Sequence, residues 1–289
     1  VKFLCPRTLE YSLPISNVYL RGSTIIGYST SMTVGVYGLG RFGSFWSSLL
    51  AQRFAVIAYD RDGDRRPPEG VRRVPVEELA QAPAVFLCVT IRSLPEVLKG
   101  LGPLLGSDTL VVDTCSVKLF PRRWMEEYLP PHTPLLATHP MFGPESAKDG
   151  LDGLSIMLDP LRLELDRFQF WEDTFAAFGL TPVRMTCDQH DREAAYSQAL
   201  THFVGRSLAS LGLVDTPIAT RWYKKLHTVV KQCVRDSHEL FEDMQKYNPY
   251  ATQMRQEVFQ ALVETMNTLG DDWQGPLRNF GGLHDRRSE

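Results

Sequence analysis

The chain has 289 residues, 43% of them hydrophobic and 22% charged, with a formal net charge of −3. That composition is globular and gives room for about two domains; it excludes a disordered chain, a collagen-like repeat and a disulfide-packed miniprotein. Without net positive charge there is no global field to hold nucleic acid, and the longest apolar runs, such as residues 84–89, fall far short of a membrane span, so neither partner is expected.

Residues 1–31 carry Lys2 and Arg7, but Pro6 and Pro14 interrupt any apolar stretch, so they do not read as a signal peptide. With Met32 directly before the first strong strand, they read as an N-terminal extension or an upstream in-frame translation. An ordered arm packed on the domain is the alternative. The five cysteines, Cys5, Cys88, Cys115, Cys187 and Cys233, are scattered with no C-x-x-C pair. No zinc site is expected, and reduced thiols in a cytoplasmic protein are the simplest reading.

From residue 33 onward strand and helix patterns alternate. Residues 33–37 predict a strand, 41–52 a helix with Phe42, Phe45, Trp46, Leu49 and Leu50 on one side, and 55–59 a second strand. The charged, Pro-containing segment 61–70 reads as loop. Helix 76–81, strand 84–89, helix 94–105, strand 109–113, helix 120–129 and strand 134–138 follow. Further strands at 155–158 and 182–185 enclose another helix. The alternation predicts an α/β fold: a Rossmann-type, doubly wound, mostly parallel sheet over residues 33–187. After Cys187 the pattern becomes all-helical. Apolar spacing through Ala194, Leu200, Phe203 and Leu208, then over 222–247 and 252–269, predicts a C-terminal helical domain at 188–270. Its apolar stripes either cover each other or pair with a second copy, so a homodimer through the helices is expected. Residues 271–289 read as a tail.

Gly38-Leu39-Gly40-Arg41-Phe42-Gly43 is a G-x-G-x-x-G sequence between a strand and a helix, 22 residues ahead of Asp60 at the end of the second strand. That context is the dinucleotide fingerprint: a tight turn, close approach of backbone to pyrophosphate, and a helix N-terminus facing the phosphates. Asp60 would accept from the ribose hydroxyls and repel a 2′-phosphate, favouring NAD. Arg61, Arg65 and Arg66 just beyond are either a solvated loop or a seat for that phosphate, so NADP stays open. Val89 and Thr90, at the same end of a neighbouring strand, complete the expected cofactor contacts.

Two later segments also follow strands and should overhang the same crevice: Asp113-Thr-Cys-Ser116-Val-Lys118 and Thr138-His139-Pro-Met-Phe-Gly-Pro-Glu-Ser146. A histidine there can take a proton from an alcohol near neutral pH, a serine can orient the hydroxyl, and a lysine can attract a carboxylate. Together with GLGRFG, FLCVTIRS, VVDTCSVK, THPMFGPES and CDQHDREAAYSQALTHFVGRSL, these segments resemble the prephenate and arogenate dehydrogenases of tyrosine biosynthesis over most of residues 33–270. The likeness is greatest to the plant-type and enteric branches.

The resemblance implies hydride transfer from the ring C4 of a cyclohexadienol to the nicotinamide, with loss of the ring carboxylate as carbon dioxide. It implies His139 as the base on the 4-hydroxyl, Ser116 as its catalytic partner or a helix N-cap, and Lys118 near the substrate. His202 is implied as a pocket residue, with a hydrogen-bonded core histidine as the alternative, and Arg221 as a carboxylate clamp or a surface salt bridge, since Arg221 stands one residue further from Pro217 than in the enteric pattern. His190-Asp191 also matches, and is read as an N-cap or interdomain bond outside the catalytic set. The Gln-Ala-Leu-x-His-Phe likeness puts prephenate first and arogenate close behind. The competing readings are another small dehydrogenase or imine reductase on the same plan, and a non-catalytic NAD-binding redox sensor.

Overall fold

The computed structural model describes residues 32–269. The expected extension at 1–31, with Cys5, and the expected tail at 271–289 lie outside them. Within them the chain begins β1 (Thr33–Tyr37), α1 (Arg41–Leu50), β2 (Ala55–Tyr59), β3 (Val71–Arg73), α2 (Val76–Leu79) and β4 (Ala84–Leu87). It continues α3 (Leu94–Leu101), β5 (Leu110–Asp113), α4 (Leu119–Tyr128), β6 (Leu135–Pro140), β7 (Ser155–Arg162), α5 (Leu165–Ala177) and β8 (Thr181–Arg184). The strands form one sheet in the order β3-β2-β1-β4-β5-β6-β7-β8. Neighbours are parallel except β6 and β7, which run antiparallel with His139 opposite Met157.

The central strands β4, β5 and β6 are buried along their whole length, as sandwiching between helical layers demands. Alternate residues feed opposite cores. Phe86 points into a cluster with Trp46, Trp171 and Phe175, whereas Val85 and Leu87 join Leu79, Leu98 and Met125 on the other face. The expected strand at 84–89 stops at Leu87, leaving Val89 and Thr90 in the connection beyond it. The three-residue edge strand β3 was not expected, because it closes a charged loop and shows only one buried residue.

The remainder is helical. α6 (Cys187–Ala194) passes through a π-helical turn at Ala195–Ala199 straight into α7 (Leu200–Ala209). Next come α8 (Arg221–Arg235), α9 (His238–Tyr247) and α10 (Ala251–Thr268). The single helix expected over 222–247 is two. Asp236 turns extended, and Ser237 restarts the helix by accepting the Leu240 N–H on its hydroxyl. α7 and α8 approach closely because Gly205 lacks a side chain: a Cβ there would lie 2.5 Å from Cys233 Sγ.

The turn into α1 is equally unforgiving. Gly38 has φ +104°, and a Cβ on Gly43 would sit 1.9 Å from the Gly38 carbonyl oxygen. Gly43→Ala is therefore expected to cost about 1–3 kcal/mol or more as overpacking and to abolish dinucleotide binding. Gly100→Ala, with open space around it, should leave both unchanged. Calorimetric unfolding and a fluorescence titration with dinucleotide check the contrast.

Candidate active site

The Gly-rich turn, the β4 connection, Ser116 and His139 all lie at the carboxyl ends of the parallel strands, where the crevice of such a sheet opens. The N-terminus of α1 has no side-chain cap and no acidic residue in its first turn, so its free N–H groups face the crevice unneutralised. A Cβ placed on Gly40 would meet only the Arg65 guanidinium, at 3.3 Å, which leaves the cradle a pyrophosphate needs. Asp60 anchors this turn: one carboxylate oxygen accepts the Leu39 N–H at 2.6 Å and the other the Asp62 N–H at 2.9 Å. Arg65 lies 3.8 Å from the same carboxylate. Its loop is pinned by Arg73, whose guanidinium donates to the carbonyls of Asp60, Asp62, Gly63 and Arg65. The donor set and the open cradle fit a dinucleotide.

At the ends of β5 and β6 a buried ion pair holds the edge together. Lys118 Nζ donates to Asp113 Oδ1 and to the Thr138 carbonyl, both at 2.5 Å, while Thr138 Oγ1 donates to the Asp113 carbonyl at 2.7 Å. Both charged side chains are inaccessible. His139, the residue after Thr138, is thereby fixed at the strand end with 3% of its surface exposed. Burial pushes its imidazole well below the ordinary histidine range, and His190 and Lys118 push the same way, so it is a neutral base at physiological pH. Ser116, in the turn after β5, has a buried hydroxyl without a hydrogen-bond partner. A buried orphan hydroxyl is costly unless something else satisfies it, such as a ligand.

Behind His139 stands α6. His139 Nδ1 and His190 Nε2 are 2.8 Å apart, and His190 Nδ1 lies 2.9 Å from Asp191 Oδ1. Asp191 also accepts the N–H groups of Lys118 at 2.7 Å and Leu119 at 2.8 Å, capping α4, and its own carbonyl accepts from Asn248. Further along the same run, His202 is buried with Nδ1 unpartnered and Nε2 3.7 Å from Asp236 Oδ2, at the corner between α8 and α9. Burial lowers the His202 pKa against the opposing pull of Asp236. Arg206 donates to the Asp236 carbonyl at 2.6 Å and packs over Phe241. Glu145, from the segment after His139, reaches Arg235 at 3.7 Å, so that segment meets the α8–α9 corner. Arg92 ties the β4 connection to α9, with Nε 2.7 Å from the buried Asp243 carboxylate.

Several expected site residues are placed elsewhere. Lys118 does not face the crevice; its ammonium is spent on Asp113 and Thr138, so it positions His139's strand instead of meeting a substrate. Arg221 is exposed at the first turn of α8, about 22 Å along that helix from Asp236 and so remote from the His202–Asp236 contact. The Phe42 ring stacks on Trp46 in the core, leaving only its backbone for a cofactor. Arg41 is exposed, and Arg61 is exposed with Glu96 4.0 Å away. Sequence reading missed Asp236, Arg73 and Arg92, because each acts through a tertiary contact that leaves no local pattern. His190-Asp191 was visible as a pair, and its position at the head of a helix suggested only a cap.

A sheet of this topology with a glycine cradle and a crevice-edge histidine defines a dinucleotide-binding dehydrogenase fold. Residues 60–158 match the prephenate dehydrogenase nucleotide-binding domain, and residues 207–279 match the TYRAAT1-like C-terminal domain. The chain is 34% identical over 270 residues to arogenate dehydrogenase 2, chloroplastic, of Arabidopsis thaliana, covering 89% of this chain and 73% of that protein. It is 35% identical over 291 residues to arogenate dehydrogenase 1, chloroplastic, of the same plant, covering 96% of this chain but 43% of that longer protein. The chain belongs to the prephenate/arogenate dehydrogenase family. Its fold is that of Synechocystis arogenate dehydrogenase (TM-score 0.63, 19% identity, 86% of this chain and 96% of that one). It is equally that of the Aquifex aeolicus prephenate dehydrogenase solved with hydroxyphenyl propionate and NAD+ (TM-score 0.64, 18% identity, 86% and 96%).

The lowered pKa values have a stability consequence. A histidine held neutral by burial contributes stability that is full above its unfolded pKa of about 6.5 and is lost as pH falls from there toward the folded value. Thermal melts from pH 7.5 to 5 should show Tm falling, and His139→Gln should flatten that slope.

Proposed function

We propose that this chain oxidatively decarboxylates a cyclohexadienol with a dinucleotide as hydride acceptor, and that its substrate is arogenate. The observation that carries the reaction is the pairing of a buried neutral imidazole, His139, with an unpartnered buried hydroxyl, Ser116, after adjacent strands at the crevice. His139 takes the proton of the ring hydroxyl as that carbon gains carbonyl character. Ser116 holds the same oxygen and is satisfied by it. The bound dinucleotide supplies the hydride acceptor, and the lost carboxylate leaves as carbon dioxide while the ring becomes aromatic.

The choice of arogenate rests on Asp236. Arogenate carries an ammonium where prephenate carries a keto group, and its enzyme needs a counter-charge there. Asp236 is a half-buried carboxylate beside His202, whose Nδ1 is free to donate to a ligand carboxylate. The order expected from sequence, prephenate first, gives way here because the carboxylate of Asp236 stands beside His202, a contact between residues 34 positions apart. The two plant relatives carry the same substrate in their names.

Asp60 supports NAD as cofactor, since it stands at the mouth of the cradle where a 2′-phosphate would meet its charge. Arg65 favours a second reading, NADP, because its guanidinium lies over Gly40 beside that carboxylate. The homodimer rests on the connection between α7 and α8 and the first turn of α8, which expose Leu211, Val214, Ile218 and Trp222. The four described cysteines are free, which suits a reducing compartment such as cytoplasm or plastid stroma. Among the described residues, no helix is long and apolar enough to cross a membrane.

His139→Asn should lower kcat by about 10²–10⁴-fold with dinucleotide affinity unchanged; near-normal turnover refutes the base assignment. Asp236→Asn should cut kcat/KM for arogenate about tenfold or more and narrow the preference over prephenate, since removing a charge partner costs more than about 1.4 kcal/mol in a desolvated site. Wild type should favour NAD, and Asp60→Ser should move that preference toward NADP. An NADP preference in wild type selects the second reading.

A further inference from the structure

We infer that His190, held by Asp191, sets the tautomer of His139 and so decides which ring nitrogen is the base; this rests on the reading of His139 given above. Asp191 is fully buried and accepts two backbone N–H groups at the head of α4, from Lys118 and Leu119. A carboxylate with those donors is an acceptor, so the 2.9 Å contact from His190 Nδ1 requires the proton on His190. A neutral imidazole has one N–H, and a second proton on this ring would bury a cation beside His139. His190 Nε2 is therefore a lone pair. Across the 2.8 Å contact, His139 Nδ1 must donate. The one ring nitrogen left with an uncommitted lone pair is His139 Nε2, and that is the atom available to a substrate hydroxyl.

The opposite tautomer would place an N–H at Nε2 and a lone pair facing a lone pair across the two rings. It would also leave the site without a base. When the substrate O–H bond breaks and an Nε2–H bond forms, the new imidazolium keeps its Nδ1–H on His190. Asp191 lies one ring further back, so the positive charge faces an oriented dipole and a carboxylate, and no proton is lost to solvent. His190 touches no reacting atom, and its role is positioning. The whole chain is built from α6 and the ends of β6 and α4, so the same carboxylate that starts α4 also sets the base.

The test uses the full chain and two substitutions. His190→Gln keeps a carbonyl oxygen that can accept the His139 Nδ1–H, whereas His190→Leu does not. His190→Leu should lower kcat about 10–100-fold with KM values for substrate and dinucleotide within about threefold, and His190→Gln should recover most of that loss. Nitrogen-15 histidine NMR of the wild type should show His139 as the Nδ1–H tautomer at pH 7.5, retained in the Gln variant and lost in the Leu variant. Wild-type turnover in a folded Leu variant overturns the inference, as does equal loss in both variants or an Nε2–H signal for wild-type His139. If wild type turns over neither cyclohexadienol, the functional reading fails by itself, and the NMR experiment still decides the tautomer.

Discussion

Asp191 is a carboxylate with no exposed surface, and a buried anion persists only where donors surround it. Its donors are two backbone amides at the head of α4 and one imidazole of its own helix. Those contacts seat α6 against the sheet at the place where Ser116 and Lys118 precede α4. They also put His190 behind His139. Remove this anion's need for partners, and neither the helix start nor the histidine pair has a reason to lie where it does. The structure of the crevice follows from how that one charge is satisfied.

A second buried charge works on the sheet side. The Lys118–Asp113 pair is weak ground for a stability argument, because desolvating both ions offsets their attraction. Its value is geometric: one ammonium bonds a side chain at the end of β5 and a main-chain carbonyl at the end of β6, one residue before His139. Two ion-centred knots, one in the sheet and one in the helices, thus hold the same imidazole. Arg92 adds a third tie, from the β4 connection to Asp243 on α9. Nucleotide-side and helix-side elements are therefore linked through charged side chains as well as through apolar contacts, among them Tyr247 of α9 on Phe120 and Trp124 of α4.

The sheet was legible because its strands are either fully buried runs, as Ala84–Leu87, or are punctuated by glycine, as Thr33–Tyr37 before Gly38. The glycine turn could be read for the same reason: only sterics such as the clash at Gly43 demand that residue at that spacing. His139 and Ser116 could be placed at the crevice by strand order. Lys118 was misread because a lysine near a site suggests a ligand contact, and nothing local reports that Asp113 captures it. Closeness in sequence to Pro217 could not say which end of a fifteen-residue helix Arg221 occupies relative to the His202–Asp236 contact. The contact of Asp236 with His202 left no trace in sequence, since a helix break between two polar residues looks like any other loop.

The π turn at Ala195–Ala199 separates His190 from His202 on one continuous helical run. Twelve α-helical steps of about 100° would leave those two side chains about 120° apart around the axis. A π turn absorbs one residue, and eleven steps bring them to within about 20° of the same direction. The irregular turn is thus a phase corrector: it lets one rod aim one ring at the sheet and a second ring at the α8–α9 corner from the same side. Winding the same twelve residues as regular α-helix would swing everything beyond the turn by about a quarter of a revolution, whereas deleting one residue there while restoring regular winding would keep the two rings on one side.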